Sequence, residues 1–159
     1  MSDTKALPVS ATVASRPRLY HVPAGLSLAE RAAARADARG MRATWGYPGY
    51  DEESAERAGF NAGIAYGVWG VYPAGAERLG ELAHHLTAHV QQAFNCHRLI
   101  VTAALVERDA TVSVLALDGV KSLLVEADPG TNEVVKRLAT GWSRIRLAAG
   151  PCISASIAL

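Results

Sequence analysis

The sequence predicts an α+β domain in which a five-stranded antiparallel sheet packs against two long helices, with an extended N-terminal arm. Leucines that recur at steps of three and four residues predict a long helix over 76–94. Three apolar stretches with short loops between them follow at 99–127 and predict a meander. Two glycine-bounded stretches at 60–72 predict the hairpin that completes the sheet.

Composition limits the class of protein. The chain has 159 residues, 50% of them hydrophobic and 19% charged, with a net charge of +1. This is enough to build a core without disulfides, and it excludes a disordered polyelectrolyte. A near-neutral chain is not typical of a nucleic-acid binder, so we do not expect nucleic acid as a partner.

Targeting signals and cysteine usage predict a cytoplasmic protein. The first 26 residues lack the apolar segment of a secretory signal. The apolar run LIVTAALV at 99–106 is far shorter than the about 20 residues that cross a bilayer, so we expect no membrane association. Two cysteines 56 positions apart do not form a disulfide framework.

Three segments follow one another along the chain. Residues 1–26, with three prolines, are predicted to be an extended arm lying on its own domain or on a neighbouring subunit. Residues 27–50 hold a helix over 28–39, which Ser27 and Glu30 cap, and an aromatic turn, WGYPGY, at 45–50. Residues 51–159 form the α+β domain, and its first helix, DEESAERA at 51–58, is predicted to end at Gly59.

The sheet and its second helix make up the rest of that domain. We predict strands at 99–106, 111–117 and 120–127, which are antiparallel because their connecting loops are too short for crossovers. Thr131 or Asn132 is predicted to cap a last helix that runs to about 148, with Val134, Leu138, Trp142 and Ile145 as its buried stripe. The C-terminal CISASIAL is predicted to add an edge strand.

Metal binding is considered for one face of the long helix. Glu81, His85 and His89 follow one another at four-residue steps, a spacing that can hold a metal ion. We favour a solvated helix face, because these residues lie away from the leucine stripe and share their face with Arg78 and Gln92. No metal and no cofactor are therefore expected.

The sequence contains no clear motif for a catalytic nucleophile or for nucleotide binding. Cys96 and His97 are adjacent on an extended segment, so their side chains point to opposite sides and we favour a half-buried structural cysteine. The sequence contains neither GxxxxGK[ST] nor a GxGxxG that follows a strand. The protein is therefore more simply a non-enzyme.

Two groups of residues are candidates for binding a partner. Arg31, Arg35 and Arg39 form a basic stripe at four-residue steps, although an exposed solvated face is the simpler interpretation. Trp45, Tyr47 and Tyr50 are of the residue types enriched in interface hot spots. For these aromatic residues a place in the core and a place in an interface are equally open.

The order of elements resembles the Roadblock family, which includes dynein light chains and bacterial regulators of Ras-like GTPases. ERDATVSVLALDG and VKSLLVEADPGTN resemble its meander, and GFNAGIAYGVWGVY is similar to its opening hairpin, with Gly70 at the turn. The resemblance spans about 52–148; Trp69 stands where an acidic residue is usual, and the link to the long helix is short. It implies a homodimer that presents a platform to a GTPase-type partner and has no active site.

Three functions follow as hypotheses. The first is a homodimeric, non-catalytic scaffold or regulator that binds itself and another protein. The second is a self-assembling subunit of a virion, tail or shell, suggested by the long arm and the apolar C-terminal strand. The third is a small-molecule enzyme that uses His85, His89 or Cys96.

Overall fold

The computed structural model describes residues 7–13, 40–122 and 125–159. Its helices are α1 (Glu53–Val68), α2 (Pro73–Ala93) and the short α3 (Glu133–Leu138), which a 3₁₀ turn (Pro129–Thr131) precedes. Its strands are β1 (Leu7–Val13), β2 (Met41–Pro48), β3 (Phe94–Asn95), β4 (Arg98–Val106), β5 (Asp109–Leu117), β6 (Val120–Lys121), β7 (Gly141–Leu147) and β8 (Gly150–Ala158).

The predicted α+β architecture is confirmed. Strands β2, β4, β5, β8 and β7 form a continuous antiparallel sheet, and β1 adds a further strand beside β2. Alternate side chains of β4 and β5, such as Val101 and Val112, are fully buried against α1 and α2. Side chains on the opposite face of these strands are half-buried, in keeping with the period of two along a strand.

The long helix is confirmed as α2. Pro73 occupies its first turn, where the missing N–H costs nothing, and Leu79, Leu82, Leu86 and Val90 are fully buried. This stripe lies over the sheet. On α1, the hydroxyl of Tyr66 donates to the Thr111 carbonyl oxygen, 2.7 Å away, which ties that helix to β5.

The predicted hairpin at 60–72 is wrong. Residues 53–68 form one continuous helix, α1, which does not end at Gly59. Gly59 and Gly63 face α2 at close range, and this packing outweighs their low helix propensity. The turn comes later, at Gly70, whose φ of +90° is the left-handed conformation expected there.

The aromatic turn at 45–50 is also wrong in large part. Strand β2 runs through Trp45 and Tyr47 to Pro48, and each of its residues pairs with β4. The Arg98 guanidinium lies across Gly46; a Cβ atom there would lie 2.5 Å from an Arg98 nitrogen, so the flexible Arg98 side chain would have to move. Pro48 is tolerated because it stands at the end of the strand.

The third meander strand is much shorter than predicted. Among the described residues of 120–127, only Val120 and Lys121 are in a strand, and they pair with β3 rather than with β5. The free edge of β5 is taken by β8 instead. The C-terminal CISASIAL therefore forms an internal strand, not the predicted edge strand, while β7 stands at the edge.

The predicted helix over 132–148 divides into two elements. Asn132 caps it as predicted, since its side-chain oxygen accepts from the Val134 and Val135 N–H groups at 3.1 Å. Helix α3 ends at Leu138, however, and Trp142 and Ile145 lie in β7. The residues of β7 are exposed or half-buried and none is fully buried, which suits a strand at the edge of the sheet.

The N-terminal arm is described only at Leu7–Val13, which pairs with β2 of its own domain. The predicted helix over 28–39 lies outside the described residues. Among the described helices, none combines the length and the apolar character needed to cross a bilayer.

Candidate interaction site

Helix α1 carries a line of exposed apolar side chains. Phe60, Ile64 and Val68 follow one another at four-residue steps and are 69%, 50% and 79% exposed. This spacing places them on one face of the helix. The opposite face, with Ala58, Ala62 and Tyr66, is fully buried. Apolar side chains in such a contiguous, exposed line are typical of a binding surface.

A groove lies beside this line because α1 and α2 approach each other through glycines. A Cβ atom at Gly59 would lie 2.8 Å from the Gly80 carbonyl oxygen, and one at Gly80 would lie 3.4 Å from the Gly63 Cα atom. Larger residues at these three positions would push the helices apart and fill the space between them. The antiparallel helices therefore enclose a shallow channel with a backbone floor.

The channel, which we call the helix groove, has a volume of about 610 Å³. Phe60 and Ile64 form part of its α1 wall, and Ala76 lies at its α2 side. Its charged lining residues are the carboxylates Glu56, Glu77 and Glu81; His84 also lines it, whereas lysine and arginine are absent from the lining. These lining residues are in the described part of the chain and define the groove as apolar with an acidic rim.

A larger cleft of about 1030 Å³ opens at the end of the sheet where β2 ends and β4 begins. Tyr50, 78% exposed, meets the ring of His97 edge-on with 6.5 Å between ring centres. Gln91 supports this wall, because its amide nitrogen donates to the Asp51 carbonyl at 2.8 Å. Arg98 and Asp118 also line the cleft, so its lining carries charges of both signs.

Cys96, whose thiol is a potential nucleophile, is one of the residues that line this cleft. It is half-buried under Gly49, and burial raises the pKa of its thiol, an effect only partly offset by a hydrogen bond with the Arg98 backbone. His97 is exposed, and its ring lies against Tyr50. A protonated thiol is a weak nucleophile, so the cleft is poorly suited to cysteine catalysis.

The predicted aromatic interface residues separate into two groups. Trp45 and Tyr47 belong to the core, and Tyr47 is only 1% exposed. Its hydroxyl accepts from the Asn61 side chain at 2.9 Å, and burial raises the pKa of Tyr47 to about 12. For these two residues the structure favours the core alternative, and Tyr50 alone of the three is exposed.

The other predicted site residues do not form a site in the described structure. Arg31, Arg35 and Arg39 lie outside the described residues. Glu81 pairs with Arg137 at 3.5 Å, and the ring of His85 stacks on His84. Residues 7–13, 40–122 and 125–159 contain no group of three or more metal-binding side chains.

His89 was expected on a solvated face and is instead buried. Its Nε2 atom lies 3.4 Å from the Ala127 carbonyl oxygen. Burial lowers the pKa of His89, which keeps the ring neutral near pH 7. The pKa of His85 is lowered as well, by burial first and then by the neighbouring His84.

The exposed line on α1 was missed by the sequence analysis, although a signal was present. Phe60, Ile64 and Val68 have helical spacing, as do Ala58, Ala62 and Tyr66. Gly59, Gly63 and Gly67 have the same spacing, but Gly59 was interpreted as the end of a helix and Gly67 as a turn residue. Small residues repeated every four positions also mark a helix that packs closely on another helix.

Comparison with protein-family models gives no match for this chain, and comparison with curated proteins gives none either. The Roadblock resemblance therefore stays a prediction. What the helix groove can bind follows from its own geometry and chemistry.

Proposed function

We propose that this chain is a non-catalytic protein–protein interaction module that binds a helix of a partner protein in the helix groove. The observation that carries the proposal is the exposed line Phe60, Ile64 and Val68 beside a glycine floor. Apolar positions one turn apart match the side chains of an amphipathic helix, which docks through its own residues at three- and four-residue steps.

Burial of this line supplies a driving force for binding. Covering a Phe, Ile or Val side chain contributes about 1.5–3 kcal/mol each relative to leaving it in water. Part of this is offset by the loss of translational and rotational freedom on association. A helix that covers all three side chains is therefore expected to bind with moderate affinity, as a scaffold or regulator requires.

A homodimer and a GTPase-type partner remain predictions from the resemblance. A second copy seated in the helix groove would bring Glu56, Glu77 and Glu81 of both copies together, and like charges in contact oppose association. We therefore assign the groove to a different protein, and a homodimer would use another surface.

The two alternatives have less support. The assembly hypothesis was suggested by the long N-terminal arm and an apolar C-terminal edge strand. Strand β8 is internal, however, and the edge strand β7 carries the exposed Arg144 and Arg146. Charges on an edge strand oppose strand-to-strand assembly. The enzyme hypothesis named His85, His89 and Cys96. His85 stacks on His84, His89 is buried, and burial raises the pKa of the Cys96 thiol.

Selection of displayed peptides against the full-length protein tests the proposal. We expect the selected peptides to be helical, with apolar residues three and four positions apart, and to lose at least tenfold in affinity for the Ile64→Asp protein. Val120→Asp is the matched control, because Val120 is 67% exposed and lines the other cleft. Thermal melting verifies that both variants fold.

The opposite pattern would overturn the proposal. Peptides that bind the Ile64→Asp protein as tightly as the unchanged protein do not use the helix groove. Peptides that lose affinity only for the Val120→Asp protein would place the binding surface at the cleft that Tyr50 and His97 line.

A further inference from the structure

The helix groove carries carboxylates on both of its sides, in addition to its line of apolar side chains. Glu56 stands one turn before Phe60, on the same face of α1. Glu77 and Glu81 stand one turn apart on α2, at the other side of the groove. All three carboxylates are exposed residues. The two walls thus present carboxylates along the sides of an apolar channel.

This local negative charge is not a consequence of overall composition. The chain has a net charge of +1, with 16 Lys and Arg against 15 Asp and Glu. Among the described residues, Glu56 and Glu77 have no ion-pair partner, and Glu81 has only the exposed Arg137 at 3.5 Å. The carboxylates of the rim are therefore available to a bound molecule.

We infer that the partner helix is basic, with lysine or arginine on both sides of its apolar stripe. This rests on the proposed function, because the apolar line must first position the helix. A helix that packs against Phe60, Ile64 and Val68 turns its apolar stripe toward the groove and places its flanking side chains at the rim. Long basic side chains reach the carboxylates while their methylene stems cover apolar surface.

The charges contribute mainly to selectivity. Exposed ion pairs contribute little each, and two or three of them together amount to roughly tenfold in affinity. They also accelerate association at low salt, since complementary potentials steer the encounter. At about 0.1 M salt the screening length is about 10 Å, so this preference is expected to weaken as salt is added.

Two synthetic peptides provide the test. Each peptide is an alanine-based helix with three leucines placed four residues apart. In one peptide lysines flank the leucines, and in the other glutamates stand at the same positions. Fluorescence anisotropy with the full-length protein measures both affinities at low and high salt. We expect the lysine peptide to bind about tenfold more tightly than the glutamate peptide at low salt, with a smaller difference at high salt.

Variants identify the groups responsible. Glu56→Gln/Glu77→Gln is expected to remove most of the preference for the lysine peptide. Glu107→Gln/Glu133→Gln, which changes the net charge equally at exposed sites elsewhere, is expected to retain it. Ile64→Asp is expected to weaken binding of the lysine peptide at least tenfold, because that substitution removes the apolar contact.

Each contrary outcome is distinct. If both peptides bind equally and Ile64→Asp weakens both, the groove is a docking site but the inference of a basic partner is wrong. If the lysine peptide does not bind, or binds the Ile64→Asp protein unchanged, the proposed function itself fails. If light scattering shows a dimer that Ile64→Asp converts to a monomer, the occupant is a second copy and the inference is overturned.

Discussion

Both sides of the α1–α2 pair carry apolar side chains, but the described part of the chain covers only one of them. Toward the sheet, Tyr66, Leu82 and Leu86 are completely buried. Away from it, Phe60, Ile64 and Val68 remain in contact with solvent. The inner side holds the domain together, whereas the outer side contributes nothing comparable to its stability. That contrast is what distinguishes a binding surface from a core.

Truncation of a side chain on each side gives the largest expected difference. Leu86→Ala should lower the free energy of unfolding by about 2–5 kcal/mol, because it leaves a cavity in a closely packed core. Ile64→Ala should change it by less than about 0.5 kcal/mol. Urea denaturation of both variants measures the difference, and equal losses would mean that Ile64 is structural.

The glycine floor between the two sides gives the next largest effect. Gly59→Ala should lower the free energy of unfolding by about 1–3 kcal/mol, since the added Cβ atom meets the Gly80 carbonyl oxygen and the His84 Cβ atom. Gly67→Ala is the control; its Cβ atom meets nothing within 4 Å, and a gain of at most about 1 kcal/mol is expected. Thermal denaturation measures both effects. If both substitutions stabilised the protein, the close approach of α1 and α2 at Gly59 would not limit the size of that residue.

Removal of a buried hydroxyl on α2 is expected to have a smaller effect, and this effect should raise the free energy of unfolding. The Thr87 hydroxyl oxygen is buried and has no hydrogen-bond partner in the described structure. Thr87→Val should therefore raise the free energy of unfolding by about 1 kcal/mol, because it removes an uncompensated polar group. Thr44→Val should instead lower it by about 1 kcal/mol, since the Thr44 hydroxyl bonds to that of Thr102 at 3.2 Å. Losses of stability in both variants, measured in urea, would show that the Thr87 hydroxyl is satisfied.

His89 predicts the smallest effect, a dependence of stability on pH. Burial lowers its pKa and outweighs both the Ala127 carbonyl and the charge of Asp128, which favour the protonated ring. Below the ordinary pKa of about 6.5 the unfolded chain therefore binds more protons than the folded one, so stability falls as pH falls. His89→Gln should reduce this loss between pH 7 and pH 5 in urea denaturation. An unchanged pH dependence would show that other groups cause it.

Elements with one clear periodicity were predictable from sequence. Helix α2 was predicted because only its sheet-facing stripe is rich in leucine, and β4 and β5 because long apolar runs are separated by a short polar loop. Only the first part of α1, up to residue 58, was predicted; its continuation was not, because both of its sides are apolar there and its glycines resemble breakers. The leucine stripe of α2 is therefore recognisable from the sequence of that helix alone. Helix α1 is recognisable only when its close packing on α2 is known.

The C-terminal region was mispredicted for a related reason. Over 132–148 apolar residues occur at helical spacing, and this pattern continues through Trp142 and Ile145. Residues 141–147 nevertheless form β7, because β8 offers them a paired strand across a tight turn at Gly150. Cross-strand hydrogen bonds with a neighbour that is itself in the sheet outweigh a weak local preference for helix.

The amino-acid sequence alone determined the α+β class, the position of α2 and the antiparallel pairing of β4 with β5, because these follow from local periodicity and loop length. Only the tertiary structure decided that Trp45 and Tyr47 are core and that Phe60, Ile64 and Val68 are exposed. An apolar residue looks the same in a sequence whether its own chain covers it or another molecule does. The difference lies in which elements pack together, and that depends on contacts between residues far apart in the chain.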